Sequence, residues 1–126
     1  MEISKRVFAL TPEHLRYARQ LGVRKIIGYL DQEEGVEAFD FIRLVQAKRL
    51  VESYGLEYAA VGWPPQVLMD QIVQAGPDCD TAIERFCDCI TNMGKAGIPI
   101  LCYAFGLNWG AWRAGLNGGG HAATQE

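Results

Sequence analysis

The sequence contains no run of roughly 18 apolar residues, the length a helix needs to cross a bilayer. Met1 to Arg6 leads straight into a strand pattern and lacks the apolar stretch of a secretory signal. Basic charge is not in excess: 12 Lys and Arg stand against 15 Asp and Glu, for a net charge of -3. No cationic face is therefore available to displace phosphate counterions from nucleic acid. The densest basic group, Arg43, Lys48 and Arg49, falls on one predicted helix and reads as a solvated face. A C-x-x-C pair is missing, and His14 and His121 have no partner histidine at ligand spacing. The four cysteines therefore read as free thiols in a reducing compartment. Cys79 is placed in a loop and Cys102 in an apolar strand, while Cys87 and Cys89 point to different faces of a helix. Neither G-x-G-x-x-G after the first strand nor G-x-x-x-x-G-K-[ST] occurs, which weakens nucleotide-binding readings. Together these absences predict a cytoplasmic protein with neither membrane nor nucleic acid as partner.

What the sequence does contain is an alternation of short apolar runs and longer amphipathic ones. Strands are expected at 6–10, 24–29, 56–62 and 99–105. Thr11-Pro12-Glu13 opens the first helix, with Thr11 as N-cap and Pro12 at the first helical position. Leu15, Ala18 and Leu21 share one side of it, and Gly22 ends it in the left-handed conformation. A second helix spans about 39–54, with a stripe of Ala47, Leu50, Val51 and Tyr54. Between 66 and 80 only a short helical turn around Val67, Leu68, Ile72 and Val73 is expected before the Gly76-Pro77-Asp78 turn. A helix follows over about 81–96. Thr81-Ala82-Ile83-Glu84 matches a capping box, and Ile83, Phe86, Cys87 and Ile90 follow at i, i+3, i+4 and i+7. The run from Pro99 to Phe105 is apolar on both faces, which suits a parallel sheet covered by helices. Four strands with intervening helices predict one α/β domain over 1–126, either doubly wound or a barrel, with 106–126 a glycine-rich loop or tail.

Asn92-Met93-Gly94-Lys95-Ala96-Gly97-Ile98-Pro99-Ile100-Leu101-Cys102-Tyr103 resembles the signature of the mannonate dehydratase family, where a helix ends and strand four begins. Weaker matches surround it: Thr11 to Leu15 with Gln20 to Val23, Pro64-Pro65 with Asp70 to Val73 and Gly76 to Asp78, and Trp112-Arg113. The resemblance implies the amino-terminal half of a (β/α)8 (TIM) barrel of the xylose-isomerase-like kind. It also implies metal-dependent dehydration of D-mannonate to 2-keto-3-deoxy-D-gluconate in glucuronate breakdown, with Mn2+ as the ion and Fe2+ or Mg2+ as alternatives. The family's metal ligands lie on later strands, so no ligand is assigned to this chain. A complete barrel takes about 250 residues, and the 126-residue chain is expected to be inactive by itself. Ala104, Ala114 and the stretch Leu116 to His121 depart from the family pattern near the carboxyl end of strand four.

Candidate substrate-binding residues cluster at that end; catalytic residues stay unassigned. Arg113 is placed to pair with a sugar-acid carboxylate through two parallel hydrogen bonds. Asn108 and Trp109 lie in the following loop as pocket-lining candidates. For Tyr103 and Trp63, substrate contact and packing are both open; His121 is a general acid or base, or a flexible tail residue. His14 and the acidic group Asp31, Glu33, Glu34 and Glu37 read as solvated. The expected partner is a small sugar acid. Two competing readings remain: a sugar isomerase or epimerase on the same barrel, and a non-catalytic half-barrel that self-associates into a homo-oligomer through its open edges.

Overall fold

A computed structural model describes residues 2–30 and 39–103. Its elements are β1 (Ser4–Val7), α1 (Pro12–Gln20), β2 (Lys25–Gly28), α2 (Phe41–Ser53), β3 (Glu57–Val61), α3 (Gln66–Gln74), α4 (Cys79–Ala96) and β4 (Ile100–Leu101). All strand pairings are parallel, and the order in the sheet is β1-β2-β3-β4. Each strand lies beside its predecessor, with no reversal of direction across the sheet. A doubly wound sheet reverses at its switch point, so the unbroken order decides between the two α/β forms and matches half of a (β/α)8 barrel.

The helices cover one face. There Val7, Ile26, Tyr58 and Val61 join Leu15, Ala18, Leu44, Val51, Leu68, Cys89 and Met93 in one core. Tyr58 is the largest fully buried side chain, and burial pushes its phenol well above the ordinary range. Its hydroxyl donates to the Gly28 carbonyl at 3.2 Å, so the buried polar group has a partner. β2 and β3 are in register except for a shift between Ile26 and Ile27, where Ala59 is the extra residue.

Several expectations need correction. β1 runs Ser4–Val7, not 6–10; Ser4, Lys5 and Arg6 are exposed, and their polarity hides the strand in the sequence. β4 is confined to Ile100–Leu101, although the Cys102 N–H still donates to the Val61 carbonyl at 2.9 Å. The expected turn after Pro65 is the nine-residue helix α3, so the third crossover holds two helices. In α4 no capping box forms. Gly76 and Asp78 carbonyls accept from Cys79 and Ala82 N–H, so the helix starts two residues earlier, taking Cys79 out of the loop and Thr81 into the first turn.

The buried stripe of α4 is also different: it is Ala82, Cys89, Met93 and Ala96. Slimmer side chains let this helix approach α2 and α3, while Ile83, Cys87 and Ile90 stay exposed and Phe86 half-buried. Leu21 is likewise exposed at the C-cap of α1. In α2, Leu44 joins Val51 in full burial, and Ala47, Leu50 and Tyr54 pack half-buried against them. All four cysteines are free thiols.

Candidate functional site

In a barrel of parallel strands the chemistry gathers at the carboxyl ends and the amino ends serve stability. The two ends of this sheet differ in that sense. At the amino ends, Lys25 pairs with Glu2 at 2.6 Å and with Glu57 at 3.7 Å across three neighbouring segments. Lys25 is held above its ordinary range, first by its hydrogen bond to Glu2, and Glu2 correspondingly below. At the carboxyl ends an aromatic residue follows every strand: Phe8 after β1, Tyr29 after β2, Trp63 after β3 and Tyr103 after β4.

Backbone hydrogen bonds fix the level of these residues. Tyr29 N–H donates to Val7 O at 3.1 Å, Gly62 N–H to Gly28 O at 2.7 Å and Cys102 N–H to Val61 O at 2.9 Å. By alternation, Phe8, Tyr29, Gly62 and Cys102 lie on the sheet face opposite the helices, the face a barrel encloses. Trp63 and Tyr103 follow one residue later at matching positions of adjacent strands. The half-buried Trp63 donates its indole N–H to Gln66 Oε1 at 3.0 Å, and Gln66 donates in turn to Asp70 Oδ1 at 2.7 Å. The start of α3 thus orients the indole. Tyr103 is 60% exposed.

Of the candidates named from sequence, the structure therefore places Trp63 and Tyr103 at one end of neighbouring strands. Asn108, Trp109, Arg113 and His121 lie outside the described residues, as do Ala104, Ala114 and the acidic group Asp31 to Glu37. Sequence reasoning missed Phe8 and Tyr29, which it placed inside strands. Aromatic residues shortly ahead of the helix-starting Thr11-Pro12 and of the acidic 31–37 stretch were the available signal.

Asn92, the first residue of the 92–103 signature, anchors the chain leading into α2. Its side-chain amide donates to the Phe39 carbonyl at 2.9 Å, while the Phe39 N–H donates to Cys89 Sγ at 3.2 Å. One turn of α4 thereby satisfies both backbone groups of the residue leading into α2. Burial raises the Cys89 thiol, the Phe39 bond opposes that, and the nearby Asp88 charge adds to the rise. A concavity of about 520 Å³ runs along Glu13, His14, Arg16, Tyr17 and Gln20, but all five belong to α1, away from the strand ends. His14 there shares a 2.7 Å hydrogen bond with the N-cap Thr11. Among the described residues no three His, Cys, Asp or Glu side chains converge to hold a metal ion. They do not fit an ion, and no step through one is derived from them.

The family model described as D-mannonate dehydratase (UxuA) matches residues 2–121. The chain belongs to the D-mannonate dehydratase family. Mannonate dehydratase 2 of Agrobacterium fabrum is 30% identical over 115 residues, which are 83% of this chain and 28% of that protein. The mannonate dehydratase of Chromohalobacter salexigens is 32% identical over 117 residues, covering 88% of this chain and 29% of that protein. The crystal structure of mannonate dehydratase from Streptococcus suis serotype 2 superposes with a TM-score of 0.68 at 27% identity. That superposition takes in 83% of this chain and 30% of the Streptococcus suis chain. The chain thus spans under a third of the length of these relatives.

Proposed function

We propose that these four β/α units form the first wall of a metal-dependent D-mannonate dehydratase barrel, and that D-mannonate lies over their carboxyl ends. The whole reaction is loss of water from D-mannonate to give 2-keto-3-deoxy-D-gluconate in glucuronate breakdown. The observation that carries this reading is the unbroken β1-β2-β3-β4 parallel order combined with the family match over residues 2–121. The family suggests a divalent cation; Mn2+ is the ion we assign, with Fe2+ or Mg2+ as the alternatives. Its ligands are sought in the parts of the barrel that the described residues do not include.

The chemistry needs a proton removed beside a carboxylate and a hydroxyl expelled. The described side chains at the strand ends are suited to holding the substrate for those steps. Trp63 offers an oriented ring and Tyr103 an exposed phenol. Arg113 is proposed to pair with the substrate carboxylate, Asn108 and Trp109 to line the pocket, and His121 to contact the sugar acid. Turnover belongs to the assembled barrel. A cytoplasmic location fits a sugar-acid lyase, and no helix among the described residues is long and apolar enough to cross a membrane.

Titration of D-mannonate into the 15N-labelled protein expressed from the whole open reading frame that carries these residues tests the binding half of this reading. Amide shifts concentrated at Phe8, Tyr29, Trp63 and Cys102 support it. Shifts at Ser4, Lys25 and Glu57, the amino ends of the strands, contradict it.

A further inference from the structure

Two tyrosines flank the middle of the sheet and are used differently. Tyr58 is inside the core with its hydroxyl bonded to the Gly28 carbonyl. Tyr29 is on the opposite face, half-buried, and among the described residues its hydroxyl has no hydrogen-bond partner. Its ring leaves its own strand and lies across the end of β3. A Cβ built on Gly62 would stand 2.5 Å from Cε2, 2.7 Å from Cδ2 and 2.8 Å from Cζ of that ring. Any side chain at 62 would displace it, so a bare backbone there is what lets the ring lie down. Phe8 closes the other side, its ring centroid 5.1 Å away and tilted by 32°. The phenol is therefore held by a neighbouring ring and a glycine, and no described residue takes up its polar end.

We propose that Tyr29 is a substrate-positioning residue, held by Phe8 and Gly62, whose phenol donates a hydrogen bond to an oxygen of a sugar acid bound over the strand ends. The inference rests on the sugar-acid reading above. Phe8, 67% exposed, supplies apolar surface for the carbon skeleton of the same ligand. A phenol already fixed by packing gives up little freedom on binding, which is the advantage of holding it in advance.

Calorimetric titration of D-mannonate into the protein expressed from the whole open reading frame that carries these residues, and into its Tyr29→Phe and Gly62→Ala variants, tests this, with circular dichroism reporting the fold of each. Tyr29→Phe keeps the ring and removes only the hydroxyl; Gly62→Ala keeps the hydroxyl and moves the ring. Both are expected to weaken binding about five- to tenfold, the scale of one hydrogen bond. Unchanged affinity in both folded variants overturns the role of Tyr29 and leaves the sugar-acid reading standing. Absence of D-mannonate binding to the unaltered protein overturns that reading, and Tyr29's role with it.

Discussion

Gly28→Ala offers a severe test of the packing, because the cost can be read from three contacts. The new methyl would stand 2.8 Å from Leu10 Cδ2, 2.8 Å from Tyr58 Cε2 and 3.1 Å from Tyr58 Cζ. Carbon atoms prefer about 3.5–4.0 Å, so at least two side chains must move. Tyr58 is 1% exposed and cannot swing outward. Any rotation also strains its 3.2 Å bond to the carbonyl of the same Gly28. Overpacking of this kind costs about 1–3 kcal/mol, and the hydrogen bond adds about 1 kcal/mol. We expect a loss of about 2–4 kcal/mol in urea denaturation, with the denaturant slope unchanged. Tyr58→Leu removes the ring, and in that background Gly28→Ala should cost about 1–2 kcal/mol less. A change below about 0.5 kcal/mol in the single variant would show that Tyr58 does not lie over Gly28, and the reasoning would fail.

Asn92→Ala leaves the Phe39 carbonyl without its donor and should cost about 1–2 kcal/mol, with faster hydrogen exchange at the Phe39 amide; unchanged exchange would remove the anchor. Lys48 Nζ donates to the Ala96 and Gly97 carbonyls at 3.1 and 3.2 Å, where α4 ends. Lys48→Met keeps the apolar stem and should cost about 1 kcal/mol by thermal melting, part hydrogen bond and part helix dipole. For Cys89 the folded thiol ionises above its unfolded value, so its stabilisation is complete below the ordinary thiol pKa of about 8.5 and declines as pH rises beyond it. The decline is at most about 1.4 kcal/mol per pH unit, and denaturation midpoints between pH 7 and 10 should show a shallower fall in Cys89→Ala.

Much of the architecture was legible in the sequence because its signals are local. Thr11-Pro12 gave the start of α1, where Thr11 Oγ1 accepts from the His14 N–H, and Gly22, Gly55 and Gly97 all stand at positive φ where helices end. What escaped detection depended on tertiary packing. β1 pairs through its backbone while its first three side chains stay exposed, so Ser4-Lys5-Arg6 did not read as a strand. α3 has no side-chain cap; the Pro65 carbonyl, accepting from Leu68 and Met69 N–H, does that work. The large residues of α4 suggested a stripe through Ile83 and Ile90, whereas close approach to α2 and α3 favoured the small ones. Within the candidate site, Trp63 could be named because it ends an apolar run, and Tyr103 because it stands near the carboxyl end of the strand that resembles the family signature. Tyr29 could not, since its place depends on Gly62, 33 positions further along and adjacent only once β2 and β3 pair.

The most direct test is to express the open reading frame that carries these residues and supply it with D-mannonate and Mn2+. The account predicts 2-keto-3-deoxy-D-gluconate as product, lost on chelation and restored by a divalent ion. An epimer or a ketose formed without loss of water would contradict it and move the barrel to isomerase chemistry.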